Sequence, residues 1–223
     1  MEKVVQINYL ISICFIAYFI ISYQYKVLNL RNLERALLTD KGLMLLNIKH
    51  LLGILVFGLV FYLIFSDYRY LLNPPEVAGL NIVLLFFLTL IVSAFLSFKS
   101  VRKHLVDIKN NSQYSINKAY LYFVIRLVFL LCYEFFFRGV LFFTILEWNG
   151  LGTAIIITTV LYMLIHIFDT KEEVFGALPF GIILCLFSYF TNSIWAAFII
   201  HITLSGVYEV SVFNHLTLNS RKS

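Results

Sequence analysis

Glu134 and Arg138 stand four residues apart in the otherwise largely apolar stretch YFVIRLVFLLCYEFFFRGVLFF. On a helix that spacing puts both on one face, where they can pair. A lone charge at the centre of a bilayer costs a few kcal/mol on insertion scales, and pairing inside a helix bundle is the usual way to reduce that cost. Two later apolar stretches each carry a histidine. LYMLIHIFDT places His166 near its end with Tyr162 one turn earlier, and SIWAAFIIHITLSGVYEV sets His201, Ser205 and Glu209 on one face at a spacing of four. Two histidines with a carboxylate are a set able to move protons near neutral pH. Each residue also has a plainer reading: Glu134 and Arg138 as a clamp between helices, and His166 as a hydrogen-bonded packing residue. Arg126 is expected to snorkel to the headgroups in a structural role. His50, His104 and His215 fall at run edges or in loops and receive no role.

The elements that must position these groups are set by composition. Of 223 residues 61% are hydrophobic and 13% charged, with mean hydropathy +0.89, which excludes a soluble domain and makes lipid the solvent. Apolar runs near 4–23, 51–65, 80–98, 119–143, 151–168, 175–190 and 194–213 are the candidate spans, about seven with a range of six to eight. Strands of a membrane barrel would alternate polar and apolar residues, and these runs are apolar on every face. The expected fold is therefore all-α, a polytopic transmembrane helix bundle. The first run is read as a retained helix, since Asn8 and Tyr9 interrupt it and no small-residue cleavage site follows.

Lys26, Arg31, Arg35, Lys41 and Lys49 lie after the first run, Lys99, Arg102, Lys103, Lys109 and Lys118 after the third, and Arg221 and Lys222 in the tail. The alternate connections are almost free of positive charge, so the N-terminus is expected outside and the C-terminus in the cytoplasm. The formal +5 charge is read as this topology signal and as contact with anionic lipid, with no nucleic acid as partner. Cys14, Cys132 and Cys185 lie in apolar runs without metal-ligand spacing and are read as packing residues. Leu30, Leu33 and Leu37 share a face in KVLNLRNLERALLTD, which predicts an interfacial helix on the cytoplasmic surface. The polar break at 110–115 divides the chain into N-terminal helices (1–115), a core holding the ionisable residues (116–213) and a tail (214–223).

The ordered set YEFFFRG, LYMLIH and SIWAAFIIHITLS resembles the CPBP family of intramembrane proteases, named for CAAX-prenyl and bacteriocin processing and also called Abi. The resemblance covers about residues 120–206. Its pattern has two adjacent glutamates followed by Arg, a Phe four residues before a His, and a His four residues before an Asn. Glu134, Arg138, His166 and His201 match; Tyr133 stands at the first glutamate, Tyr162 at the Phe and Ser205 at the Asn. The resemblance implies that the first glutamate and first histidine activate water while the last histidine and its Asn stabilise an oxyanion. Tyr133 is a poor base at neutral pH, and Glu134 points about 100° away from it on an ideal helix.

The leading reading is an intramembrane endopeptidase, a hydrolase acting on prenylated-protein or peptide substrates. Glu134 or a water it positions is the base, His166 assists, and His201 with Ser205 binds the oxyanion, with Arg138, Tyr133 and Tyr162 in support. A degenerate relative acting as a membrane binder or immunity protein is the alternative, and a small transporter a third. The family name also implies a metalloprotease: a divalent ion such as zinc would take Glu134, His166 and His201, although no HExxH helix is present. No organic cofactor is expected. The resemblance further implies residence in a bacterial plasma membrane.

Overall fold

The computed structural model of the protein describes residues 2–75, 79–104 and 116–218. The break at 110–115, Lys109, and the tail residues Arg221 and Lys222 lie outside the described residues. All regular structure among the described residues is helical. Helix α1 (Glu2–Val27) is followed by the short α2 (Leu33–Leu37), and α3 (Gly42–Gly53) runs through a π turn (Ile54–Leu59) into α4 (Val60–Ile64). A 3-10 turn (Ser66–Leu72) leads to α5 (Leu80–His104). Helix α6 (Ile116–Glu134) continues through a second π turn (Phe135–Leu141) into α7 (Phe142–Ile165), and α8 (Lys171–Thr191) and α9 (Trp195–Leu218) complete the bundle.

Six helical stretches are long and apolar enough to cross a membrane, one of them the 50-residue stretch Ala119–Phe168. As a straight rod that stretch would reach roughly 75 Å, far more than a hydrocarbon core. Gly150, at φ 77° and ψ 171°, breaks it with a backbone conformation that side-chain-bearing residues rarely adopt. Reversal is evident in the ring contact of Tyr133 with Tyr162, 5.9 Å between centroids; a straight helix would separate them by roughly 43 Å. The stretch therefore crosses twice, giving the seven passages expected.

Boundaries differ from expectation where polar residues face inward. The second passage begins at Gly42, ahead of the expected position 51, because His50 is buried rather than solvated. The expected interfacial helix is only five residues long, started by Asn32, whose Oδ1 accepts the Arg35 N–H at 3.1 Å. Its Leu30, Leu33 and Leu37 are buried among Tyr25, Leu43, Tyr122, Val212 and Phe213. That leucine face packs on the bundle instead of on lipid.

The connections sort into two ends. At one, Trp195 Nε1 donates to Leu72 O at 2.8 Å, and Ile194 N to Leu71 O at 3.1 Å. At the other, the Tyr208 hydroxyl donates to the Glu34 carboxylate, and Lys26 lies 5.4 Å over the Phe168 ring.

Candidate active site

The second π turn starts immediately after Glu134, and all seven of its residues, FFFRGVL, are buried. π turns inside α-helices often coincide with functional sites. Glu134 and Arg138 flank the triple phenylalanine and both are fully buried. Arg138 Nε lies 3.3 Å from Glu134 Oε2, so the pair expected from the spacing is formed. The guanidinium also stacks over the Tyr162 ring, its carbon 4.1 Å from the centroid, a cation–π contact strengthened by the lack of water. From α9, His201 Nδ1 donates to Glu134 Oε1 at 2.5 Å. Both carboxylate oxygens of Glu134 thus face a positive or proton-donating partner, and the imidazole of His201 is fixed in orientation.

His166 lies just past the end of α7, in a 3-10 turn (His166–Phe168). Its ring meets Tyr162 edge-on at 4.8 Å, as the one-turn spacing predicts. Its Nδ1 donates to Asp169 Oδ2 at 2.9 Å. Tyr133, the neighbour of Glu134, is 3% exposed and makes ring contacts with His201 and Tyr162, both at 5.9 Å. Both neighbours can point inward because α6 sits centrally in the bundle with partners on several sides.

Tyr133, Tyr162, His166, His201 and Ser205 line one cavity of about 540 Å³. Glu134 and Arg138 are absent from its wall and stand behind it. Three buried polar atoms of its lining residues, Tyr133 Oη, His166 Nε2 and Ser205 Oγ, have no hydrogen-bond partner among the described residues. A buried polar atom left without a partner costs about 1–3 kcal/mol, so each is open to a partner from the cavity.

A second charge group lies farther along the cavity. Glu209, one turn beyond Ser205 on α9 as the spacing of four predicts, accepts from Arg126 Nε at 2.9 Å and from the Tyr122 hydroxyl at 3.0 Å. Arg126 Nη1 lies 3.4 Å from His50 Nε2. Arg126 therefore pairs inside the bundle instead of snorkelling to headgroups, and His50, 4% exposed, is a member of the same group.

Within the set Glu134, His166 and His201, Glu134 is the member that does not fit a divalent cation, since Oε1 accepts from His201 Nδ1 and Oε2 faces the Arg138 guanidinium, whose charge opposes a metal. The hydrogen bonds at Nδ1 leave Nε2 of His166 and of His201 as ligand nitrogens. Among the described residues, His166, Asp169 and Glu173 bring ligand atoms within 4.8 Å of one another.

A family model described as type II CAAX prenyl endopeptidase Rce1-like matches residues 115–207. Over those residues, less than half of the chain, the protein is similar to that family. The match is consistent with a CPBP-family intramembrane protease and supports CAAX-type proteolysis at the level of the family. No curated protein and no solved structure matches the chain.

The Rce1-like segment contains every residue singled out for chemistry from the sequence except Glu209, which lies two positions beyond it. Asp169 was missed, and so was the pairing of Tyr122 and Arg126 with Glu209. A signal existed for the first, since Asp169 follows His166 by three residues. For the second, Tyr122 and Arg126 share a helix face at a spacing of four, but their acidic partner is more than eighty residues away.

Proposed function

We propose that the chain is an intramembrane endopeptidase that hydrolyses peptide bonds of prenylated-protein or peptide substrates. The observation that carries this reading is that Tyr133 Oη, His166 Nε2 and Ser205 Oγ, buried and without hydrogen-bond partners among the described residues, belong to residues lining the same cavity as His201, whose Nδ1 is held by Glu134. His166 Nε2 accepts a proton from water, and the hydroxide attacks the scissile carbonyl carbon. His201 and Ser205 face the developing oxyanion; an imidazolium at His201 is partnered electrically by the Glu134 carboxylate behind it. Glu134 acts through His201, since both of its oxygens are engaged, and Arg138 holds Glu134.

Purified protein in detergent or vesicles, given a prenylated C-terminal peptide and a membrane-tethered reporter peptide, is expected to cleave at least one. His166→Ala, His201→Ala and Glu134→Ala are each expected to lower the rate by about 10²-fold or more, the contribution typical of positioned acid–base groups. Unchanged cleavage in all three variants would end this reading. A second reading, a membrane protein that holds a peptide without cutting it, draws on Tyr133 and Ser205 standing where the resembled pattern has Glu and Asn. The same assay separates the two, because a holder retains the peptide and releases no product.

A further inference from the structure

His166 and Asp169 are brought together by a backbone that leaves neither side chain much freedom. Helix α7 ends at Ile165, the next three residues form a 3-10 turn, and the Asp169 N–H donates back to the His166 carbonyl at 2.9 Å. One residue later Thr170 caps α8, its hydroxyl accepting the Glu173 N–H at 3.3 Å. Between the two, Phe168 is pinned against Phe19 and Tyr23 of α1, with ring centroids 4.8 and 5.6 Å apart. The segment from His166 to Thr170 is thus tied at both ends and in its middle. The side chains of His166 and Asp169 are 24% and 20% exposed, shielded enough for one hydrogen bond to dictate the imidazole tautomer.

That bond uses Nδ1. A neutral imidazole has one donor and one acceptor nitrogen, so a carboxylate on Nδ1 fixes the proton there and leaves Nε2 as the basic lone pair. Nε2 is the atom that is buried, without a protein partner, on a residue of the cavity wall. Glu134 cannot do this for His166, because its two oxygens serve His201 and Arg138. Tyr133, which lines the same cavity, carries a phenol in the place where the resembled pattern has a carboxylate.

We propose that Asp169 is a positioning residue for hydrolysis: from the turn before α8 it holds His166 in the Nδ1–H tautomer, so that Nε2 alone serves as the base where Tyr133 supplies no carboxylate. This rests on the endopeptidase reading above. In the step it serves, a water O–H bond breaks and its proton goes to His166 Nε2, while the water oxygen bonds to the carbonyl carbon and the C=O π pair moves onto the carbonyl oxygen. The oxyanion then re-forms C=O as the C–N bond breaks, and the proton on Nε2 passes to the leaving amine. Atoms and charge balance with no added reactant. Asp169 stays a carboxylate throughout, bonded to Nδ1 in both states.

The test has two readouts on the full-length protein. Nitrogen NMR of ¹⁵N-histidine-labelled protein, with His166→Gln to assign the signal, is expected to show the Nδ1–H tautomer in the wild type and loss of that preference in Asp169→Ala. In the cleavage assay, Asp169→Ala is expected to lower kcat by about 10²-fold, the low end of what a positioned base contributes, with KM within about twofold. Asp169→Glu is expected to restore part of the loss, and chelators to have no effect. An unchanged tautomer together with unchanged kcat in Asp169→Ala would overturn the proposal. So would activity that chelators abolish and zinc restores, which would make His166 and Asp169 metal ligands. Should the wild type cut neither substrate, the endopeptidase reading falls, while the tautomer measurement still decides whether Asp169 positions His166.

Discussion

Arg138 carries more than its ion pair with Glu134. Its guanidinium lies in a fully buried position, against the face of Tyr162, and the carboxylate it holds is the one that orients His201. Replacing Arg138 by Met removes the partner of a buried carboxylate, a change that typically costs about 3–5 kcal/mol. Thermal unfolding in detergent is therefore expected to show a large loss of stability in Arg138→Met. The double variant Glu134→Gln with Arg138→Met should be less damaged than the sum of its singles, since no uncompensated charge is left. An additive result in that cycle would show that the two side chains do not act as a pair. At this scale the sequence was informative wherever partners lie within one helical turn: Glu134 with Arg138, Tyr162 with His166, and the face of His201, Ser205 and Glu209. Partners from distant segments, such as Arg126 with Glu209, could not be read, because nothing local encodes which helices become neighbours. Asp169 stands three residues after His166 in the sequence, but that spacing alone does not say that a turn will fold its carboxylate back onto the imidazole.

The two π turns show how elements, as well as residues, set the geometry. They lie on neighbouring passages, and Phe57 in the first stacks on Phe136 in the second, with ring centroids 4.4 Å apart. Gly58, in the first π turn, packs on Cys132 of α6 so closely that an added Cβ would sit 2.8 Å from the Cys132 Cβ and closer still to its sulfur. The close approach fixes α6 just upstream of Tyr133 and Glu134. Gly58→Ala is expected to destabilise by about 1–3 kcal/mol through overpacking, and to be less harmful when Cys132 is Gly in the same chain. Equal damage in both backgrounds, measured by thermal unfolding, would place the strain elsewhere. The seven passages were legible from apolar run length, and the break near Gly150 from the end of one run and the start of the next. The π turns were not. No residue type marks them, and the contact that joins them, Phe57 on Phe136, links two segments nearly eighty residues apart. Nor could the sequence show that the leucine face of α2 is covered by protein, since an amphipathic segment looks the same whether lipid or a neighbouring helix receives it.

For the molecule as a whole, the contacts at its two ends sort the connections as seven passages require. The turn at Ser66–Leu72 meets the start of α9 at one end, and α2 meets the later part of α9 at the other. His166 and Asp169 belong to the second end, because Phe168 between them packs against Tyr23 and under Lys26 at the end of α1. Lysine and arginine are concentrated in the connections of that second end, which makes it the expected cytoplasmic side. A substrate segment would then reach His166 from the cytoplasm. Residues for testing this are exposed at both ends, Asp40 beside α2 and Asn149 beside the Gly150 break. In a chain whose Cys14, Cys132 and Cys185 are replaced by Ala, Asn149→Cys should react with a membrane-impermeant maleimide on intact cells. Asp40→Cys should react only after permeabilisation. The opposite pattern would invert the chain in the membrane and put the mouth of the cavity outside. Labelling of both sites in intact cells would contradict the passage count, since Asp40 and Asn149 are separated by three crossings and must lie on opposite faces.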